Sequence, residues 1–217
     1  MSNVQDEEIG VKSKDRRKQV LDAAAKCFRD LGFHGCSIAK ISKEAGMSPG
    51  HIYYHFANKE AIVEALVAQQ ESTIFELIND IATSPADEKL AVTLKRQTAR
   101  MVELHTSPEF ISLWLEIAAE AVRNPNVSQV LQVSHNAISN RFNAQLLKRT
   151  KKNDENEIKQ LHAKMDIIAS IFAGLSQRTA LQSIDAEGDK EMLIEMINNV
   201  IDLFLKNISP YSSIQRY

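Results

Sequence analysis

Apolar residues recur at three- and four-residue intervals along most of this chain, the spacing that gathers side chains on one face of a helix. Glycine is sparse, and Pro85, Pro108 and Pro125 fall between the periodic stretches, so the pattern predicts long helices joined by short loops. Helices are expected near residues 58–81, 87–105, 108–123, 126–149, 155–182 and 189–207, with a charged connection over 148–157. In the stretch 155–182, Ile158, Leu161, Met165, Ile168, Phe172, Leu175 and Thr179 form one stripe, and Ile167 and Ile171 widen it around the helix. The last stretch is as broadly apolar, through Met192, Leu193, Met196, Ile197, Val200, Ile201, Leu203, Phe204 and Leu205. Helices apolar over so much of their circumference need a second cover, either more of their own core or another subunit.

The pattern shortens near the N-terminus. Ile38, Ile41 and Ala45 share one face of a brief helix whose Lys40, Lys43 and Glu44 turn outward, and Ser37 is placed to cap it. Gly46 can take the positive φ of a helix C-terminus, and Ser48-Pro49 restarts a helix with a cap and a first-turn proline. Helix, tight turn and helix is the plan of the helix-turn-helix, whose second helix enters the major groove with its N-terminal residues nearest the base edges. Those residues here are Ser48, Pro49, Gly50 and His51. Ile52 and Phe56, four apart, can pack inward while Tyr53, Tyr54 and His55 stay available to phosphates or bases. Asn58 is then expected to cap a third helix whose first residue, Lys59, holds a phosphate. Packing offers other roles: Tyr53 as a core residue with its hydroxyl at the rim, Lys40, Lys43 and Lys59 as a solvated face.

Charge separates the two regions. Across the whole chain 26 basic residues face 28 acidic ones, which by itself says nothing of nucleic acid. Residues 11–59, however, carry ten basic against four acidic side chains, and the remainder from Glu60 onward is net acidic. A basic first domain joined to an acidic second one fits a protein that meets DNA at one end.

The ordered series from Arg16 to Leu66 resembles the TetR family of one-component regulators: an amphipathic first helix with Val20, Ala23, Ala24, Cys27 and Phe28, then Gly32-Phe33, Ser37-Ile38-Ala39-Lys40-Ile41, Ala45-Gly46-Met47-Ser48, Gly50, Tyr53, His55-Phe56 and Asn58-Lys59-Glu60. The resemblance implies an all-α protein with an N-terminal three-helix DNA-binding domain, followed by a helical ligand-binding and dimerisation domain. It implies a DNA surface at Ser37, Ser48, Gly50, His51, Tyr53, Tyr54, His55 and Lys59, with His51 in place of the small residue often found there. It also implies a homodimer formed by the last two helices of each subunit, with Ile167, Ile171, Leu175, Ile197, Ile201 and Phe204 as interface candidates. Such symmetry predicts a pseudo-palindromic double-stranded operator. The segment 113–127 further resembles the ligand domains of multidrug-efflux repressors, pointing to efflux or envelope-stress targets. The expected division is a flexible arm over 1–13, a DNA-binding domain over 14–60, a ligand and dimerisation domain over 61–208 and a tail over 209–217.

For a small-molecule inducer the middle helices supply candidate walls: Phe75, Met101, Leu104, Phe110, Leu113, Trp114, Ile117, Phe142, Leu146 and Phe172. Glu116 and Glu120 lie one turn apart in an apolar stretch, so one can look inward, where a buried carboxylate needs a partner such as a cationic ligand. Ordinary exposure of both is the alternative. Cys27 and Cys36 do not make a disulfide framework, Cys27 lies on an apolar face, and a redox switch between them is the alternative. The six histidines form no H-E-x-x-H pair, and neither a glycine-rich phosphate loop nor a G-x-S-x-G elbow occurs, so no catalytic residue, metal or cofactor is expected. No uncharged apolar run approaches bilayer length and the acidic start lacks signal-peptide features, which predicts a cytoplasmic protein with no membrane partner. Two alternatives to an inducer-released repressor are an activator and a regulator whose second domain binds a protein partner.

Overall fold

The computed structural model describes residues 2–85, 87–150, 154–182 and 187–206, and among these residues the regular structure is entirely helical. The helices are α1 (Ser2–Gly35), α2 (Ile38–Ala45), α3 (Pro49–His55), α4 (Lys59–Thr83), α5 (Leu90–Thr106), α6 (Pro108–Ala121), α7 (Pro125–Thr150), α8 (Glu155–Leu181) and α9 (Glu187–Leu205). In the segment 1–13, expected as a flexible arm, α1 is helical from Ser2, and the sequence there holds no proline and only Gly10 to oppose propagation from the helix that follows. The expected tail over 209–217 lies outside the described residues. None of the described helices is long and apolar enough to cross a membrane.

The chain forms two compact units. The first runs to Gln70 and also includes Ser112–Ser134; the second comprises Glu71–Ile111 and the chain from His135 onward. The expected boundary at residue 60 is therefore not where the packing divides. Val20, Ala24 and Phe28 of α1, Ile41 of α2, Ile52 of α3 and Ile62 and Val63 of α4 form one buried cluster, and Leu113, Ile117 and Val127 belong to the same cluster. A four-helix start too small to enclose its own core is completed by the first unit's share of α6 and α7.

In the second unit α5 packs on α8 and α9. The stripe anticipated along α8 is its buried face, with Leu161, Met165, Ile168, Phe172 and Leu175 in a core shared with Val102, Leu146, Ile197 and Ile201. Asp154 caps α8 by accepting from the Glu157 amide at 2.9 Å.

Candidate nucleic-acid interface and ligand cavity

The interface is built by local chemistry that the sequence states openly. Ser37 caps α2, its hydroxyl accepting from the Lys40 amide at 3.3 Å. Gly46 ends α2 at φ 62, ψ 33, and its N–H donates to Lys43 O at 3.2 Å. The Met47 amide donates to Ser42 O at 3.0 Å, and the Ser42 hydroxyl returns a hydrogen bond to Met47 O, so the turn is tied at both ends. Ser48 caps α3, which starts at Pro49, and its hydroxyl lies 3.3 Å from His51 Nδ1. From α1, Gln19 Nε2 donates to Ala45 O at 2.8 Å, fixing the end of α2 against the first helix.

This scaffold buries Ile52 completely and Phe56 nearly so, and it leaves Ser37, Lys40, Ser48, Pro49, Gly50, His51, Tyr53 and Tyr54 exposed. Tyr53 is 56% exposed and Tyr54 79%, which removes the core role considered for Tyr53. His55 is half-buried between the Tyr54 and Phe56 rings. Burial holds its imidazole below the ordinary range, helped by the positive charge of Arg17, so it remains a neutral group with one donor and one acceptor. Arg17 itself lies over the Phe56 ring, 4.9 Å from its centroid. The Lys40 ammonium donates to Gly35 O at 2.8 Å and has further donors to offer. Hydroxyl, imidazole, phenol and ammonium groups are thus presented by one short helix and its neighbour, the mixture that phosphate and base-edge contacts require.

Lys59 departs from its expected role. Its ammonium lies 3.8 Å from the Phe33 ring centroid and donates to Phe33 O at 2.6 Å and Cys36 O at 3.1 Å. Burial lowers its pKa. It closes the end of α1 rather than reaching outward. The same corner holds one feature that the sequence did not suggest and one that it offered only as an alternative. Gly32, at φ 71, breaks α1, and the following Phe33 amide donates to Glu116 Oε1 at 2.6 Å. Cys27 and Cys36, both buried, are joined as a disulfide with Cα atoms 5.7 Å apart, so they are paired rather than merely packed.

Glu120 also belongs to this unit. Its carboxylate is buried and meets His34 Nε2 at 3.0 Å, Arg123 at 3.5 Å and Asn124 Nδ2 at 3.1 Å. The inward-looking carboxylate anticipated here exists, but its partners are protein groups. Leu113, Trp114 and Ile117 likewise fall within the first unit, so the segment 113–127 contributes to that core.

The second unit contains a cavity of about 240 Å³. Its wall comes from Ile74, Ile78 and Ile81 on α4, Leu94, Gln97, Thr98 and Met101 on α5, and Ile138, Ser139, Phe142 and Asn143 on α7. Met165, Asp166, Ile168 and Phe172 on α8 and Ile201 on α9 complete it, with His135 and Ala169. Of the expected ligand residues, Met101, Phe142 and Phe172 meet there. Phe75 instead lies under the Arg141 guanidinium at 4.9 Å, Phe110 packs edge-on against His105 at 5.2 Å, and Leu104 is half-buried outside the wall. Thr98 carried a legible signal, since it stands four residues after Leu94 and three before Met101 on one helical face.

Among the interface candidates, Leu175, Ile197 and Ile201 are core residues of the second unit, and Ile171 and Phe204 are partly buried against that core. Ile167 is exposed, and so are Met192, Met196 and Leu203.

Residues 20–66 match the sequence profile of the bacterial regulatory proteins of the tetR family. The chain is 31% identical over 140 residues to the HTH-type transcriptional regulator UidR of Escherichia coli K12, covering 64% of this chain and 66% of UidR. It is 32% identical over 115 residues to the HTH-type transcriptional repressor Rv1474c of Mycobacterium tuberculosis, covering 48% of this chain and 59% of that protein. The chain thus spans less than two thirds of the length of these curated relatives, 66% of the first and 59% of the second. The fold is that of the Bacillus subtilis transcriptional regulator FadR, solved in complex with stearoyl-CoA, with a TM-score of 0.67 at 19% identity over 88% of this chain and 98% of FadR.

Proposed function

The chain belongs to the TetR family of bacterial regulatory proteins, and from that premise we propose that it is a sequence-specific transcriptional repressor, active in the cytoplasm as a homodimer and released from its operator by a small molecule. The observation that carries the DNA-binding role is the exposure of Tyr53 and Tyr54 on α3, beside His51 and Lys40. Two adjacent aromatic side chains uncovered on a helix whose Ile52, and whose following residue Phe56, are buried call for a partner surface. In a net-basic segment that surface is a duplex. Ser37, Lys40, Ser48, Pro49, Gly50, His51, Tyr53, Tyr54 and His55 form the proposed contact set. Lys59 is left out because two carbonyls and an aromatic face already hold its ammonium.

The cavity favours a small-molecule effector over a protein partner as the signal. Helices α4 and α7 each carry residues of the cavity wall and residues of the first unit's core. A ligand that shifts either helix therefore acts through continuous backbone, and releases DNA to the extent that it binds the released state more tightly. Ligand-bound relatives of the fold, such as FadR with stearoyl-CoA, support an effector of this kind. Efflux or envelope-stress genes as targets rest on the 113–127 resemblance alone.

Fluorescence anisotropy against the DNA upstream of the protein's own gene, with a scrambled duplex as control, tests the proposal. Tight, salt-sensitive binding to the first duplex at two subunits per site, or a multiple, is expected. Tyr54→Ala should weaken it at least tenfold with an unchanged melting temperature. Equal weak binding of both duplexes by the wild-type protein would count against control of its own promoter, and an unaffected Tyr54→Ala variant would remove α3 as the reading element.

A further inference from the structure

The walls of the cavity in the second unit narrow its occupant beyond the effector reading above, on which this inference rests. At about 240 Å³ the space exceeds the ~150 Å³ that holds a benzene-sized molecule, and fits on the order of ten non-hydrogen atoms. Ile78, Met101, Phe142, Ile168 and Phe172 make it largely apolar. One wall atom differs from the rest. Thr98 is 1% exposed, and its Oγ1 has no hydrogen-bond partner. A helical threonine ordinarily returns its hydroxyl to the preceding turn, as Thr106 does to Val102 O at 2.8 Å on the same helix. Leaving a buried hydroxyl without a partner is costly, so an occupant that supplies one gains affinity there.

The charge of the wall sets the second constraint. Among the described residues, neither lysine nor arginine lines the cavity, and its two ionisable side chains, on Asp166 and His135, both belong to exposed residues. A carboxylate or phosphate would enter with no buried counter-charge, His135 lying exposed like Asp166; a fixed cation would surrender its water for apolar walls while Asp166 stays hydrated. We propose that the cavity binds an uncharged, largely apolar molecule about the size of a substituted single aromatic ring, which presents one hydrogen-bonding oxygen to Thr98 Oγ1, and that it rejects ions of the same size.

Isothermal titration calorimetry on the full chain with para-propylphenol, propylbenzene, para-toluate and phenyltrimethylammonium tests this. Para-propylphenol should bind most tightly, and para-toluate and phenyltrimethylammonium at least tenfold more weakly. Thr98→Val should weaken para-propylphenol roughly tenfold and leave propylbenzene unchanged. Thr98→Ser, which keeps the hydroxyl, should retain the preference for the phenol. Because each variant is read as a ratio of two affinities, a general loss of stability does not imitate the effect. Binding of either ion as tight as the phenol, or an equal loss for phenol and hydrocarbon in Thr98→Val, overturns the proposal. So does failure of all four probes to bind, and sequence-selective DNA binding in that case would leave the regulator reading intact.

Discussion

Lys59 occupies a place where a lysine beside a recognition helix is naturally assigned to phosphate, yet its ammonium turns to the carbonyls of Phe33 and Cys36. Nothing in the sequence could show this, because the acceptors lie 26 and 23 residues earlier and become neighbours only once α1 and α4 share a core. Lys59→Met should therefore destabilise the protein by about 2 kcal/mol, the usual loss for charge-assisted hydrogen bonds. The slope of log affinity against log salt for DNA should stay as in the wild type; a slope reduced by about one unit would restore Lys59 as a phosphate contact.

His105 makes a different prediction at the same scale. It sits between the Phe110 and Phe172 rings with Nδ1 2.8 Å from Ser176 Oγ, and burial lowers its pKa to about 4. Unfolding restores the ordinary value near 6.5, so the unfolded chain takes up the proton first as pH falls. The contribution to stability is complete above about pH 6.5 and is lost progressively toward pH 4, on the order of 3 kcal/mol in all. Urea midpoints measured from pH 7 to pH 4.5 should fall less in His105→Phe, which cannot titrate. Equal pH dependence in the two proteins would place the acid sensitivity elsewhere.

At the scale of elements, the short helices of the first unit were legible because their boundaries are written in local chemistry. Ser37, Gly46, Ser48 and Pro49 act within four residues of themselves, so no knowledge of distant chain is needed. Gly46 and Gly32 both take positive φ, but their surroundings differ. A Cβ at Gly46 would meet open space, whereas one at Gly32 would stand 3.1 Å from Glu116 Oε1. Gly46→Ala should cost about 1 kcal/mol from backbone strain alone. Gly32→Ala should cost clearly more in the same thermal-melt comparison, since ψ 169 puts Gly32 in a region that glycine alone adopts readily and the added Cβ also presses on the acceptor of the Phe33 amide. Equal losses would show that the backbone at Gly32 and the Glu116 side chain both yield freely. The long helices were legible as elements and less so as surfaces. Periodicity identified the buried stripe of α8, but a helix apolar on several sides does not declare which residues serve its own core. Leu175, Ile197 and Ile201 went to that core, leaving Ile167, Met192, Met196 and Leu203 outside.

For the whole molecule, those exposed side chains on α8 and α9 are what a second copy would cover in the proposed dimer. Met196→Glu, at a residue 49% exposed, should shift the protein toward monomer in light scattering while preserving its helical signal. Affinity for a two-half-site duplex should fall by at least tenfold, and binding to a single half-site much less. A variant that remains dimeric would move the interface off this face. The cavity was only partly legible for a related reason: a wall drawn from five helices depends on packing between them, and sequence spacing constrains one helix at a time. Met101, Phe142 and Phe172 were recognisable as large apolar residues, whereas Trp114 and Ile117 looked equivalent on paper and serve the first unit.

The inclusion of Ser112–Ser134 in the first unit bears on how such a protein could be recombined. A transplant that moved only the chain up to Gln70 onto another effector domain would leave behind Leu113, Ile117 and Val127, along with the Glu116 acceptor for the Phe33 amide. The recipient would have to offer a hydrophobic plug and a carboxylate of matching shape, or the grafted head would melt. Exchange of DNA specificity by shuffling should thus succeed when both segments travel together. The stretch least resembling a DNA-binding motif would then be inherited as part of it.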